Sequence, residues 1–572
     1  MRLRSLLALF AAALATPALA HPPLERVSER GAPALYRMEL DNGLVTVIDS
    51  RPGRRTVYCE IGVRVGSRNE TLDLAGISHL LEHLLFKEGE GAGARKNPAF
   101  SKIRAAGGDV NATTEFERTN YFCDVTSDAF EEGWRGLASM VSGTAFDAHD
   151  VDVERRVVLE EAALDKNNPV AIAAYSVLKK VFPGDPLSQP ILGYRKTLER
   201  VTYADAKAYY GRFYTPANSY ALVVGDVDPE RAASLVAETL TGWQTLSRRA
   251  ETFPPPPRVS PDRLFSFRTL VEQVYYGLGT LTPGHAASDH EATELLRRVL
   301  GEGKTSRLYR RLVEQEGLTT QFLTGKYDLS NLGIFAAGGA ADPARADRFK
   351  VILKEEFARI AREPVSADEL HLARRLLFAD LVREFETNDG IAAFRSERLL
   401  YRLPISRDAE LEAAARLTPD QLLSTARAYF APEKLREIEV EPASGLGKLW
   451  AILHFLSSRA QREIYSIHRH DGHVLAGEES VGQGLNLSRS HRFQAGDALR
   501  VCPWRRAGDQ LFRDDRNAPG IGRVAPGLFR PQISSGARLL LRRDGSRGHS
   551  LELAPDDLVD LREMFLVGAR RH

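Results

Sequence analysis

A chain of 572 residues is too long for one ordinary domain and predicts roughly three to four folded units, each long enough to bury a core. Its 43% hydrophobic and 27% charged residues are the fractions of a globular protein. With 77 basic against 76 acidic side chains, it carries no electrostatic footprint for nucleic acid or an anionic membrane surface. The N-terminus has a basic start, Met1 to Arg4, an apolar run from Ser5 to Ala15, and small residues at Ala18-Leu19-Ala20. That is the pattern of a signal peptide cleaved after Ala20, and the run is well short of the ~20 residues that span a bilayer. No cysteine follows it to take a lipid anchor, so a periplasmic or secreted protein beginning at His21 is expected. Three cysteines are too few for a disulfide scaffold; Cys59 and Cys123, both in strand-like stretches, either pair or stay as buried thiols.

Beyond the signal, Ala34 to Asp49 alternates around a turn at Asp41-Asn42-Gly43, and its Asn-Gly pair predicts a hairpin. Residues 56–65 read as a strand. Gly76 to Phe86 then reads as a helix in which Ile77, Leu80, Leu81, Leu84 and Leu85 form an apolar stripe while His79 and His83 fall together on another face. One divalent ion can bridge two imidazoles one turn apart. Glu82 borders the same place and is suited to take a proton from activated water, which makes this an H-x-x-E-H arrangement. Zinc suits such donors and needs a third protein ligand. Residues 153–162 read as a second helix carrying Glu154, Glu160 and Glu161, and periodicity alone does not choose between Glu160 and Glu161.

Between these helices, Lys87 to Lys96 is Gly-rich and charged, a loop without the pattern of a phosphate cradle. Gly107-Gly108 opens a polar strand from Asp109 to Thr114. Helical patterns fill Ala129 to Ser142, Asp150 to Asp165, Ala171 to Val181 and Tyr203 to Tyr210, and residues 219–227 form a strand, which argues an α+β class. Phe253-Pro254-Pro255-Pro256-Pro257 is a stiff spacer, after which the pattern restarts. Phe265 to Thr280 reads as paired strands, Ala287 to Leu300 and Leu308 to Glu316 as helices, and residues 419–430 and 436–440 as a closing helix and strand. Lys448 is the last lysine; from there Arg, Gly and His accumulate, as in an appended segment. Within it Leu449 to Leu456 is apolar but too short to span a membrane, Ala554 to Arg562 looks like a capped helix, and His468, His470 and His473 read as exposed loop histidines.

The H-x-x-E-H at His79 to His83, followed by E-R-x-x-x-x-x-E from Glu154 to Glu161, resembles the insulinase/pitrilysin (M16) family of zinc peptidases. Phe100-Ser101-Lys102-Ile103, Gly107 to Thr113 and Thr119-Asn120-Tyr121 stand at the family's spacing, and the likeness runs over roughly residues 35–440. The resemblance implies two homologous α/β-sandwich domains, each an antiparallel-rich sheet covered by helices, in a half-clamshell. They would follow the signal peptide (1–20) as an N-terminal zinc-bearing domain (21–247), a Pro-rich linker (248–262), a second domain without the zinc motif (263–443) and a tail (444–572).

By that resemblance one zinc ion per chain is held by His79, His83 and Glu161, Glu154 orients the ligands, and Glu82 is the catalytic base. Asn111, Ala112 and Thr113 hold the backbone of a peptide substrate added as a strand. The family completes its site with an Arg and a Tyr seven residues apart in the second half, R-E-x-x-G-L-x-Y. Here Val313 and Thr320 stand in those positions, and shifting the register to Arg311 places Leu318 at the Tyr. The chain is therefore expected to be the zinc-bearing half of a heterodimer with a homologous Arg/Tyr-bearing subunit, and otherwise a homodimer. A non-catalytic scaffold or a peptide-capturing subunit is the alternative, and the intact acidic and histidine set argues against it.

Overall fold

The computed structural model describes residues 21–443, except 31–33, 88–97, 144, 166–168, 244–250, 270 and 321, together with 538–540 and 550–552. The expected signal segment, most of the loop from Lys87, and nearly all of the tail, with its three histidines, Cys502 and the helix expected at 554–562, lie outside the described residues. So does the first part of the 248–262 spacer. The two short tail strands, Arg538–Leu540 and Ser550–Glu552, pair antiparallel with each other.

Strands β1 (Glu25–Val27), β2 (Ala34–Glu39), β3 (Val45–Ser50) and β4 (Thr56–Val63) open the first sheet, and β5 (Asp109–Thr114), β6 (Thr119–Thr126) and β7 (Ser219–Gly225) complete it. The expected Asn42-Gly43 turn joins β2 to β3. Gly43 takes φ 89, a left-handed value open to glycine at little cost, and the Asn42 side chain accepts from the Leu44 N–H. The strand order is β1-β2-β3-β7-β4-β6-β5, with β7 parallel to β3 and every other pair antiparallel. Central strands β4, beyond its first residue Thr56, and β7 are buried throughout, because both faces are covered. Strand β5 is an edge with no further strand beside it among the described residues; Asp109, Asn111 and Thr113 are exposed while Val110 and Ala112 are buried.

The helices of this half are α1 (Ile77–Phe86), α2 (Pro98–Ala105), α3 (Phe130–Gly143), α4 (Ala148–Asp165), α5 (Pro169–Val181), α6 (Tyr203–Phe213) and α7 (Pro229–Leu240); α1, α2, α3 and α7 pack on the sheet, α4 packs on α1, and the end of α5 joins an apolar cluster with Phe265, Leu329 and Leu332 of the second half. Where the sequence predicts helices and strands, their starts and bounds agree with it to within two or three residues; β1, α2 and α7 are not among its expectations. Cys59 stands directly opposite Cys123 across β4 and β6, both fully buried and both free thiols.

The spacer is not loose where it is described. Phe253 packs on the Tyr401 ring, and the Pro254 and Pro255 carbonyls accept from Asn331 and Arg68. Beyond it come β8 (Leu264–Thr269), β9 (Val274–Thr282), α8 (His290–Gly301), β10 (Phe322–Asp328), β11 (Gly333–Ala341), α9 (Ala346–Ile360), α10 (Ala367–Glu384), α11 (Asn388–Tyr401), α12 (Pro419–Tyr429) and β12 (Arg436–Pro442). The second sheet runs β10-β11-β9-β12-β8, with β12 parallel to β8 and antiparallel to β9. This corrects the expectation that β8 and β9 pair: β12, about 160 residues later in sequence, lies between them, because a parallel β8–β12 ladder supplies the strand that a short loop cannot. The helix expected at Leu308 to Glu316 begins as an α-turn at Arg307–Tyr309 and continues as a π-helical turn, Arg310–Gln315.

The order β8-β12-β9-β11-β10 repeats β3-β7-β4-β6-β5 strand for strand, including the single parallel pair. The two halves are one architecture twice, both as open sheets, α+β with helices packed on each sheet. They also share a core. Leu35, Val47, Tyr58, Tyr220, Leu222 and Val224 of the first sheet join the apolar cluster of the second half, and helix α11 packs on β4 and β7. At its centre the fully buried Arg395 guanidinium binds the Glu29 and Asp49 carboxylates at 2.8 and 3.0 Å.

Candidate active site and metal centre

Helix α1 begins where its sequence makes a start difficult, since no side chain at Gly76 caps it. Glu70 supplies the cap from outside. Its two carboxylate oxygens accept from the Gly76 N–H at 2.7 Å and the Ser78 N–H at 2.8 Å, satisfying donors that the first turn of any helix leaves open. Burial pushes the Glu70 carboxyl up to about 8, against the lowering effect of those two hydrogen bonds. Gly76 takes φ 97, and a Cβ there would stand 2.8 Å from the Leu192 carbonyl oxygen, so the chain can enter the helix only through glycine. At the other end the Lys87 ammonium binds Asp150 at 3.1 Å, tying the end of α1 to the start of α4.

Those two helices carry the predicted residues to one place. His79 and His83 project one turn apart from α1, and Glu154 and Glu161 two turns apart from α4. Oε2 of Glu161 lies 3.7 Å from His79 Nε2 and 3.5 Å from His83 Nε2. Tetrahedral ligands at ~2.1 Å from zinc stand roughly 3.4 Å from one another, so the carboxylate and the two imidazole nitrogens are already at near-ligand spacing. The structure thereby chooses Glu161 over Glu160 within this cluster. Glu154 Oε2 lies 3.6 Å from His83 Nδ1, leaving Nε2 for the cluster. His79 Nδ1 is buried with no hydrogen-bond partner.

Electrostatics agree with a cation site. Burial, together with the neighbouring His83, pushes His79 down to about 4, so it is a neutral donor. Burial also acts to lower His83, but its contacts with Glu154 and Glu161 and the charge of Glu82 outweigh that and push it up to about 9. Hydrogen bonding to His83 is the leading cause that holds Glu161 below the usual carboxylate range. Two imidazoles and a carboxylate, one ring held neutral and the other proton-bound between carboxylates, fit a zinc-class ion that would take that proton's place. Glu161 is half exposed, so the cluster opens to solvent on its side.

Glu82 is buried beside the cluster, and burial pushes its carboxyl up to about 7. Its Oε2 accepts from the Thr114 hydroxyl at 2.5 Å. Sequence reasoning missed Thr114 and Glu70, although Thr114 closes the polar strand that was singled out. Of the predicted substrate residues, Asn111 and Thr113 are exposed on the free edge, Ala112 is buried, and the Ala112 N–H donates to the Asn111 side-chain oxygen at 2.9 Å. Val313, half-buried on the π-helical turn, and exposed Thr320 supply no Arg and Tyr. Arg311, the nearest arginine, is bound to Glu355 and Glu356.

Comparison with known proteins agrees with this geometry. The family profile "Insulinase (Peptidase family M16)" matches residues 45–195, and "Peptidase M16 inactive domain" matches residues 200–377, together more than half of the chain. An uncharacterised zinc protease of Mycobacterium leprae is 28% identical over 372 residues, 64% of this chain and 82% of the relative. The crystal structure of a protease from Helicobacter pylori superposes with a TM-score of 0.63 at 22% identity, covering 74% of this chain and all of that one. Pitrilysin superposes with a TM-score of 0.64 at 16% identity, and the match covers 73% of this chain but 46% of pitrilysin. Two matching domain profiles on two topologically repeated halves, which together span about half of pitrilysin, have one reading: the chain is a half-size member of the M16 peptidase family.

Proposed function

We propose that this chain is an exported, zinc-dependent endopeptidase that hydrolyses peptides or unfolded polypeptides. The observation that carries the reading is the convergence of His79, His83 and Glu161 at ligand spacing beside Glu82, next to the free edge of β5. His79, His83 and Glu161 would hold the ion, and zinc when bound supplies Lewis-acid polarisation of water and of the scissile carbonyl. Glu154 holds the His83 ring by Nδ1. Glu82, with a carboxyl near neutrality, takes a proton from the attacking water and returns it to the leaving amine. Thr114 fixes the carboxylate that does so. An extended peptide added to β5 gains main-chain hydrogen bonds from a strand with no partner on that side among the described residues, with Asn111 and Thr113 facing it.

Export rests on the basic, apolar and small-residue pattern of residues 1–20. Because positions 313 and 320 offer neither charge nor phenol and Arg311 is spent on Glu355 and Glu356, the chain is proposed to work as the zinc-bearing half of a heterodimer with a homologous Arg/Tyr-bearing subunit. The same two positions favour a second reading, a scaffold that binds peptides without cleaving them. Zinc analysis and hydrolysis of an unfolded peptide, by the chain alone and with such a partner, decide among these. Zinc with partner-dependent cleavage supports the heterodimer, full activity alone supports a homodimer, and zinc without cleavage in either case supports the scaffold.

A further inference from the structure

The strand-for-strand repeat makes the second half a comparison for the first. In the first half the chain passes from β4 to α1, and the last residue of the edge strand, Thr114, touches Glu82 of that helix. In the second half it passes from β9 to α8. There the last residue of the equivalent edge strand, Asp328, binds His290, the first residue of the equivalent helix, through Oδ2 and Nε2 at 3.0 Å. Between β9 and α8 stands His285. One ligand atom from each of His285, His290 and Asp328 lies within 4.8 Å of the others, the same closeness found for His79, His83 and Glu161. The imidazole rings are 4.8 Å apart here and 4.7 Å apart there.

The surroundings are built as they are around a metal ligand. Glu291 lies 3.5 Å from His290 Nδ1, as Glu154 lies 3.6 Å from His83 Nδ1, and Glu397 lies 3.4 Å from His285 Nε2. Each ring thus has a carboxylate on its far nitrogen, which fixes its orientation and leaves His290 Nε2 and His285 Nδ1 for the cluster. Tyr401 stacks on the His285 ring at 4.2 Å. His285 is 5% exposed, and its Nδ1 is buried without a hydrogen-bond partner; Oδ1 of Asp328 is buried without one as well. A buried nitrogen and a buried carboxylate oxygen left open beside each other are places where a water or an ion can be held.

We propose that His285, His290 and Asp328 form a second divalent-cation site of the zinc class. The donor set is His₂Asp, which suits zinc and other imidazole-preferring divalent ions. One feature opposes binding: the Lys326 ammonium, 2% exposed, lies 3.0 Å from Asp328 Oδ2 and already supplies positive charge there. The second site is therefore weaker than the first, and Lys326 sets how much weaker. None of its residues enters the proposed hydrolysis, so the site stands whether or not the chain is a peptidase.

The test is metal counting on the full-length mature chain, by elemental analysis and by the visible absorption of Co²⁺-substituted protein, with zinc supplied in excess and washed down stepwise. Wild type is expected to hold two ions, and His285→Gln and His290→Gln one. His83→Ala is expected to hold one that disappears when His290→Gln is added. Lys326→Met, which removes the competing charge, is expected to bind the second ion about tenfold more tightly or better. One ion in both wild type and Lys326→Met at saturating zinc overturns the proposal. Two ions persisting in the His285→Gln/His290→Gln double variant also overturn it, because the second ion then lies elsewhere.

Discussion

The Thr114 hydroxyl donates to Glu82 Oε2 at 2.5 Å, joining the end of the free edge strand to the carboxylate beside the metal cluster. A peptide added along β5 would therefore be positioned by the same strand that holds Glu82, the proposed base.

From this contact follows a prediction for Thr114→Val, which keeps the shape and removes the donor. A hydrogen bond to an ionised group is worth about 1.5–3 kcal/mol, so kcat should fall about tenfold or more. Zinc content and KM should stay unchanged, and Thr114→Ser should recover most of the rate. Steady-state kinetics checks this; a loss confined to KM would mean that Thr114 serves substrate binding instead.

Separating the base from the ligand requires two neighbouring substitutions. Glu82→Gln should lower kcat by roughly 10²–10⁴ while zinc stays bound. Glu161→Gln should weaken zinc binding, and Glu160→Gln should leave it intact, because only Glu161 faces both imidazoles. Chelator competition on the three variants gives the answer, and zinc loss from Glu160→Gln alone would falsify the ligand assignment.

Glu70 links helix capping to pH. Burial raises its carboxyl in the fold from the ordinary 4.5 to about 8, so the fold favours its protonated form. The stability that protonation contributes is complete below the unfolded value and is lost as pH rises through about 8. Glu70→Gln keeps one acceptor for the two N–H groups and does not titrate. It should be less stable than wild type by about 1–2 kcal/mol in acid, with the gap narrowing as pH rises toward the folded value. Urea unfolding of both proteins across that range measures the gap, and widening of the gap with rising pH would count against the buried cap.

Arg395 joins the halves through charge rather than apolar packing alone. Replacing it by Met leaves buried Glu29 and Asp49 with Arg51 alone, at 3.9 and 2.5 Å; losing a partner from a buried charge network typically costs about 3–5 kcal/mol, and Arg51 holds the expected loss to the lower part of that range. Thermal unfolding should show a large drop for Arg395→Met. The triple variant that also carries Glu29→Gln and Asp49→Asn should recover much of it. A small effect of Arg395→Met alone would show that the carboxylates find water or protons at little cost.

The H-x-x-E-H motif was legible in the chain because a helix is a local object: His83 stands four residues after His79, and Glu161 seven after Glu154, which sets their shared faces before any tertiary contact forms. The Asn42-Gly43 hairpin and the edge strand Asp109–Thr114 were legible for the same reason, since turn chemistry and alternation act over a few residues. Glu160 and Glu161, by contrast, are adjacent on one helix, and which of them faces His79 and His83 depends on how α4 is rotated against α1. That rotation is set by packing and by the Lys87–Asp150 clamp. The insertion of β12 between β8 and β9 was invisible for the corresponding reason, because a ladder between segments about 160 residues apart leaves no short-range periodicity. His285, His290 and Asp328 carry no motif either. Their spacing in sequence is irregular, and only the corner formed by β9, α8 and β10 brings two rings and a carboxylate within reach of one ion.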